Sequence, residues 1–157
     1  STDTKQVTWA KELVGTIAVA NAKIAYSSFL EIYQSDLARS LMRQGLHPQR
    51  LLWASTSTKN NRYSDVLYVE SLIGENTVNT MPLETLHAFR DHGKARSSLY
   101  TDIERTQAAL HNLSALGIDF EHHCQDLLRE GVKLFTDAFD QLLSAVDQKL
   151  QETKRMS

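Results

Sequence analysis

Apolar residues recur at helical spacing over the first part of the chain. From Val7 to Tyr33 they fall three or four positions apart, which predicts one long amphipathic helix. A second, shorter helix is predicted over residues 36–43, because Gly45 and then Pro48 follow it and end the pattern. The opening of the molecule is therefore predicted to be helical.

The pattern changes in the middle of the chain. Residues 50–55 form a short apolar run that predicts a buried strand, and residues 77–80 predict a second short strand. Between them, Ser64 is expected to cap a helix over residues 65–73, with Gly74 just past its end. Strands joined by a helix are expected to lie parallel, because the crossover buries one helix face on the sheet.

Two further helices are predicted after the second strand. Pro82 suits the first position of one helix, with Glu84 at its third position, and Gly93 closes it. Thr101 and Glu104 have the spacing of a capping box, which predicts the start of the next helix there.

The last helix carries the longest apolar stripe of the sequence. Asp119 is expected to cap it, and its apolar positions continue from Phe120 to Val146, whereas residues 148–157 lose the stripe and are expected to fray. The stripe is expected to pack in the chain's own core, with a partner helix as the alternative. We treat residues 1–157 as a single unit, since no linker or repeat interrupts them.

These elements predict an α/β fold that is mostly helical. Two parallel strands do not form a sheet that covers itself, because parallel strands need helices on both faces and neighbours on both edges. The middle of the chain is therefore expected to be a slice of a larger sheet.

Composition narrows the class of protein. The chain has 157 residues, of which 41% are hydrophobic, and a formal net charge of −2, which argues against a broadly basic nucleic-acid surface. No apolar run reaches the roughly 20 residues of a membrane span, and no signal-peptide core follows the N-terminus. The lone Cys124 excludes an internal disulfide, so a cytoplasmic location is expected.

Several kinds of chemistry find no support in the motifs. Adjacent His122 and His123 point about 100° apart on a helix, so with Cys124 they are interpreted as solvated histidines beside a core cysteine, and no metal site is expected. The Gly-rich phosphate loops and the Gly-x-Ser-x-Gly elbow are absent.

One polar segment remains as candidate chemistry. Residues 54–60 follow the first strand, and loops at the carboxyl ends of parallel strands form the binding face of α/β folds. Its hydroxyls, backbone N–H groups and Lys59 suit a phosphate or a sugar. A plain polar surface loop is the alternative, and composition alone does not decide between the two.

The order of several motifs resembles the transaldolase family. The matching segments are Ile17–Tyr26 with its Ala-Asn-Ala-Lys run, Gln49–Thr56, Lys59-Asn60, Tyr63–Val69, Thr77–Pro82, Asp91-His92-Gly93, Leu116–Asp119 and Glu130–Val132. Together they extend over nearly the whole chain.

The resemblance implies a (β/α)8 TIM-type barrel, of which this chain is the C-terminal part with the last two strands. Members transfer a dihydroxyacetone unit between sugar phosphates in the pentose phosphate pathway, through a lysine Schiff base and without a cofactor. That lysine and the acid/base carboxylates belong to strands of the family that this chain lacks. We therefore assign no catalytic residue here, not even Lys23 or Lys94, and expect the segment alone to be inactive.

The site chemistry implied by the resemblance concerns the substrate phosphate. Ser55 matches a family serine that faces the phosphate, and Lys59 lies near a position of a basic phosphate ligand. Ser57 stands where close relatives have Gly, which leaves the loop conformation open. The expected partners are a sugar phosphate, the missing N-terminal barrel half and, through exposed apolar surface, a second copy of the chain. The alternative is a stand-alone, non-catalytic helical interaction protein derived from the family.

Overall fold

The computed structural model describes the backbone of residues 2–156 and the side chains of residues 6–155. The elements, in chain order, are α1 (Thr2–Leu13), α2 (Ile17–Gln34), α3 (Asp36–Arg43), β1 (Leu51–Trp53), α4 (Leu67–Ser71), β2 (Thr77–Asn79), α5 (Leu83–His92), α6 (Ile103–Ala115) and α7 (Phe120–Met156). Where the sequence suggests a single unit, the chain divides into two compact units, Ser1–Leu116 and Gly117–Ser157. Each is described by itself.

The prediction of one long helix over residues 7–33 is wrong, because this segment is divided into α1 and α2. Gly15 lies between them with φ of +79°, a conformation that side chains disfavour. A Cβ at Gly15 would also lie 3.0 Å from the ring of Tyr63. The break therefore falls at a residue where both the backbone conformation and the nearby ring of Tyr63 disfavour a side chain.

Strands β1 and β2 form a two-stranded parallel sheet, which confirms the predicted topology. Leu51 pairs with Thr77 and Trp53 with Asn79, and α4 lies in the connection between the strands. The prediction of a buried strand is wrong for β1, however, because Leu52 is 54% exposed. Parallel strands are buried where other layers cover both faces of the sheet, and the side chain of Leu52 is left open to solvent.

Three predicted helix starts differ from the observed ones. The Ser64 hydroxyl accepts from the N–H of Val66 at 3.3 Å in a local turn, and α4 begins only after Val66. Pro82 is the N-cap of α5 rather than its first residue. The capping box is wrong, since the Thr101 hydroxyl donates to the Ser98 carbonyl at 2.9 Å and Asp102 precedes α6. In the first and third cases, local turns compete for the hydroxyl that the cap requires.

The core of the first unit lies between α2 and the segments that flank α4 and α6. Tyr26, Phe29, Leu72 and Leu99 form it, with Leu51 and Trp53 of β1 packed against it. The Tyr26 hydroxyl lies 3.1 Å from the Glu75 carbonyl and 2.7 Å from the Tyr100 hydroxyl, so it donates to the first and accepts from the second.

The second unit consists mainly of α7. Asp119 caps it as predicted, because its carboxylate accepts from the N–H of His122 at 3.0 Å. The expected fraying is wrong, since the helix continues to Met156. The apolar stripe of α7 is exposed: Phe135 is 83% exposed, and its neighbours on the stripe are exposed as well.

Within residues 2–156, no single helix has both the length and the apolar character that crossing a membrane requires. Residues 6–13 and 17–34 meet those criteria only when they are counted together, and they are bent by 72° relative to each other.

Candidate functional site

The polar segment predicted as candidate chemistry begins where β1 ends. The N–H of Thr80 donates to the carbonyl of Trp53 at 2.9 Å, which extends the pairing of the strands by one residue. Ser55 then takes a left-handed backbone conformation with φ of 56°. The chain consequently turns sharply at the carboxyl end of the sheet. Ser55, and not Ser57, is the residue of this loop with positive φ.

Thr56 ties this turn to the neighbouring strand. Its hydroxyl lies 2.7 Å from Oδ1 of Asn79, the last residue of β2, and 3.3 Å from the carbonyl of Thr80. Thr56 is buried, with 4% of its surface exposed, although it lies in a polar loop. The ends of both strands are thereby joined by a side chain as well as by the backbone.

The far side of the loop has its own hydrogen bonds. The Thr58 hydroxyl donates to the Ser64 carbonyl at 2.9 Å, and the Asn60 side chain accepts from the N–H of Arg62 at 3.0 Å. The second bond is an Asx turn, which fixes the backbone two residues ahead. Lys59 lies between these two anchors and is exposed, so its ammonium is free to meet a ligand while its backbone is held on both sides.

A cavity of about 550 Å³ lies against this loop. It is lined by the loop residues 54–60, by Leu52 and Trp53 of β1, by Ala18 and Ala22 of α2, and by Tyr63, Tyr68 and Leu72 around α4. The structure therefore brings the two predicted site residues, Ser55 and Lys59, to the wall of one cavity. Its volume is within the usual range for small-molecule sites.

The lining suits an anion with hydroxyl groups. Ser55, Ser57 and Thr58 supply hydroxyls, and Lys59 supplies a positive charge on a flexible stem. Ammonium and hydroxyl groups are the donors that a phosphate accepts from, while the two tyrosine rings and the alanines of α2 form an apolar side of the cavity. One side of the cavity therefore offers hydrogen-bond donors and a positive charge, and the other side offers apolar contacts.

A second polar cluster lies at the end of α5. The two ring nitrogens of His92 contact Asp65 at 2.9 Å and Asp91 at 3.2 Å. The hydrogen bond to Asp65, followed by that to Asp91, raises the pKa of His92 above its usual value of 6.5. Asp65 directly follows Ser64, whose carbonyl accepts from Thr58 of the polar loop, so this contact connects α5 to the segment that anchors the loop.

The histidine pair on α7 is exposed, as predicted, whereas Cys124 is only half-buried rather than a core residue. Among the residues that the structure describes, no three His, Cys, Asp or Glu side chains are grouped so that they could hold a metal ion.

Sequence reasoning missed residues in the cavity wall and beside it. Thr56 in the wall and Asn79 beside it were not singled out, because a hydrogen bond between two strand ends has no signal along the sequence. The positions of Ala18 and Ala22 beside the loop likewise follow only from the tertiary structure.

Comparison with known proteins gives a consistent result. Residues 2–146 match the transaldolase/fructose-6-phosphate aldolase family. A transaldolase of Trichodesmium erythraeum (strain IMS101) is 44% identical over 140 residues, which are 88% of this chain and 37% of the relative. A transaldolase of Neisseria meningitidis serogroup C (strain 053442) is 46% identical over 132 residues, which are 84% of this chain and 38% of the relative.

A third relative is matched over a larger share of this chain. The transaldolase of Saccharopolyspora erythraea is 40% identical over 151 residues, which are 96% of this chain and 41% of the relative. The chain thus spans about two fifths of the length of these relatives. Because the match extends over most of its residues, this chain belongs to the transaldolase/fructose-6-phosphate aldolase family.

Proposed function

We propose that this chain is the C-terminal part of a (β/α)8 transaldolase barrel and supplies the last two strands. The parallel pairing of β1 and β2 through a helical connection is the repeating unit of such a barrel. The exposure of Leu52 fits a strand whose remaining neighbours belong to the rest of the barrel. The chain covers 37–41% of its relatives, which is consistent with a barrel portion of this size.

The reaction we propose for the parent protein transfers a dihydroxyacetone unit between sugar phosphates. A lysine amine attacks the ketose carbonyl and water leaves, which forms a protonated imine. The imine withdraws electrons, so that a C–C bond breaks: a base takes the proton of the hydroxyl on the far carbon, the rest of the donor leaves as an aldehyde, and a stabilised carbanion stays on the lysine. The carbanion then adds to the aldehyde of the acceptor, and water releases the product. We assign this lysine to the rest of the protein, since Lys23 is buried and donates to the Thr101 carbonyl at 2.9 Å.

Within this scheme, the chain binds the phosphate of the substrate. The observation that carries the proposal is the cavity at the carboxyl end of the parallel strands, with Ser55 and Lys59 both in its wall. In barrels of this class the active site lies at that end of the strands. Ser55 donates its hydroxyl to a phosphate oxygen, and Lys59 neutralises part of the charge.

The first test is activity. The purified 157-residue chain is incubated with fructose 6-phosphate and erythrose 4-phosphate, and no turnover is expected. Addition of the N-terminal barrel portion of the Trichodesmium erythraeum transaldolase is expected to restore activity. Turnover by the chain alone would overturn the proposal that the catalytic lysine lies in the rest of the protein.

The second test is binding. Ser55→Ala and Lys59→Met are each expected to weaken inorganic phosphate binding about tenfold, because a hydrogen bond to a charged group contributes about 1.5–3 kcal/mol. Lys94→Met is the matched control, since Lys94 does not line the cavity. Equal affinity of all three variants would remove the phosphate role from the loop.

A second candidate is supported by the exposed stripe of α7, on which Phe135 is 83% exposed. In this reading the chain is a stand-alone helical protein that binds a partner without catalysis. The intact mass of the native protein in its own cells separates the two. A mass near 17.8 kDa supports the interaction protein, and a mass of twice that or more, with the upstream strands, supports the barrel enzyme.

A further inference from the structure

Thr56 is unusual among the residues of the polar loop, because it is buried while Ser55 and Lys59 are exposed. A threonine hydroxyl carries one proton, and its shorter contact is the 2.7 Å one with Oδ1 of Asn79. We take this as the bond that it donates, with the Thr80 carbonyl at 3.3 Å as the weaker second neighbour. The bond connects the loop after β1 to the last residue of β2.

The residue before Thr56 needs such support. Ser55 has φ of 56°, and the left-handed conformation costs a residue with a side chain about 1–2 kcal/mol. Such a conformation persists only where the surroundings determine the backbone on both sides. On one side the Trp53 carbonyl accepts from the N–H of Thr80 at 2.9 Å. On the other side Thr56 is held by its side chain.

We propose that Thr56, through Asn79, is the positioning residue that holds Ser55 in its left-handed conformation at the cavity wall. Thr56 does not itself donate to the ligand, since its one hydroxyl proton is used by Asn79. Its effect on phosphate binding therefore passes through Ser55. That part of the inference rests on the proposed function, whereas the effect on the Ser55 backbone does not.

Two substitutions in the full chain distinguish the effect of the Thr56 hydroxyl from the effect of its side-chain size. Thr56→Val keeps the shape and removes the hydrogen bond, and Thr56→Ser keeps the hydroxyl. Thr85→Val is the control, because Thr85 is another buried threonine, with 6% exposed, in α5 and outside the cavity lining. Asn79→Ala removes the acceptor while Thr56 stays in place. It tests the same hydrogen bond if Thr56→Val does not fold.

Two readouts are measured by NMR on each variant. The first is the three-bond HN–Hα coupling of Ser55, which reports its φ angle. The second is the dissociation constant for inorganic phosphate from a titration. Thr56→Val and Asn79→Ala are expected to change the Ser55 signals and to weaken phosphate binding about tenfold. Thr56→Ser and Thr85→Val are expected to stay within about twofold of the parent chain.

The outcomes separate the inference from the proposed function. Unchanged Ser55 signals in folded Thr56→Val or Asn79→Ala would overturn the positioning role, and so would equal changes in Thr85→Val. If the parent chain binds no phosphate but Ser55 still moves in Thr56→Val, the positioning role stands and the phosphate role of the loop fails.

Discussion

At the scale of single residues, the hydroxyl of Tyr26 shows how a polar atom is accommodated in the core. Tyr26 is only 1% exposed, and its hydroxyl is matched to the Glu75 carbonyl and the Tyr100 hydroxyl. Burial raises the pKa of Tyr26 above its usual value of 10.0. The ring meanwhile stacks on Phe29 at a centroid distance of 5.9 Å.

Replacing Tyr26 by Phe is therefore expected to lower the free energy of unfolding by about 0.5–1.5 kcal/mol, since it removes the hydrogen bond to the Glu75 carbonyl. Urea denaturation measures the change. Tyr68→Phe is the control, because Tyr68 is only half-buried and lies at the cavity wall instead of in the core cluster. A Tyr26→Phe variant as stable as the parent chain would contradict the role of this hydroxyl.

His92 gives the molecule a pH dependence with a definite sign. Its pKa is raised in the folded state, first by the hydrogen bond to Asp65 and then by that to Asp91. The protonated ring therefore stabilises the fold at pH values below 6.5, and this contribution is lost as the pH rises through the higher folded pKa. Because the His92 side chain is 48% exposed, solvent weakens the effect.

An NMR titration of His92 measures this directly. Asp65→Asn is expected to lower the His92 pKa more than Asp91→Asn does, since the contact with Asp65 is the shorter and the larger cause. A larger decrease of the His92 pKa in Asp91→Asn, or an unshifted His92 pKa in the parent chain, would contradict the assigned roles of the two aspartates.

At the same scale, the sequence identified the polar loop, and with it Ser55 and Lys59 as candidate residues. It did not identify Thr56 or Asn79, which act through a bond between residues separated by 23 positions. A pattern of residue types along the chain contains no information on such a pair.

At the scale of elements, two glycines lie in different surroundings, one between two helices and one within a helix. Gly15 divides α1 from α2 with φ of +79°, and a Cβ there would meet the ring of Tyr63 at 3.0 Å. Gly131 lies within α7, and a Cβ there would meet nothing within 4 Å. The same substitution should therefore have opposite effects at the two positions.

Gly15→Ala is expected to lower the free energy of unfolding by about 1–2 kcal/mol, from the left-handed conformation alone. Gly131→Ala is expected to stabilise α7 by about 0.5–1 kcal/mol, because alanine loses less backbone entropy in a helix. Thermal unfolding followed by circular dichroism tests both. A shift of the same sign in the two variants would contradict this assignment.

The elements themselves were largely predictable. The strands, their parallel pairing and the helices that follow them agree with periodicity and with the Gly and Pro positions. Errors remain at three helix starts, at Gly15 and at the C-terminal end of α7. At Ser64 and Thr101 a local turn takes the hydroxyl that the cap requires, which periodicity does not contain, whereas the break at Gly15 is a local backbone conformation with φ of +79°.

At the scale of the whole molecule, exposed apolar surface is present in both compact units. Leu52 of β1 is 54% exposed in the first unit, and Phe135 and Phe139 of α7 are 83% and 59% exposed in the second. Contiguous apolar surface of this kind marks an interaction site or leads to association.

We therefore expect the isolated chain to self-associate in a concentration-dependent manner, as measured by sedimentation equilibrium. Phe135→Glu combined with Phe139→Glu is expected to reduce association through α7, and Asp137→Lys, on the same helix and changing charge without removing an apolar side chain, is the control. A clean monomer of the parent chain at high concentration would contradict the expectation.

The amino-acid sequence by itself determined the alternation of strand and helix, the parallel sheet and the place of the polar loop, because these depend on local periodicity and on Gly and Pro positions. It also carried the motifs of the transaldolase/fructose-6-phosphate aldolase family, to which the chain belongs. Only the tertiary structure decided that Ser55 takes the left-handed turn, that Thr56 reaches Asn79, and that the apolar stripe of α7 is exposed. These features depend on which distant residues meet, and sequence periodicity describes only neighbours along the chain.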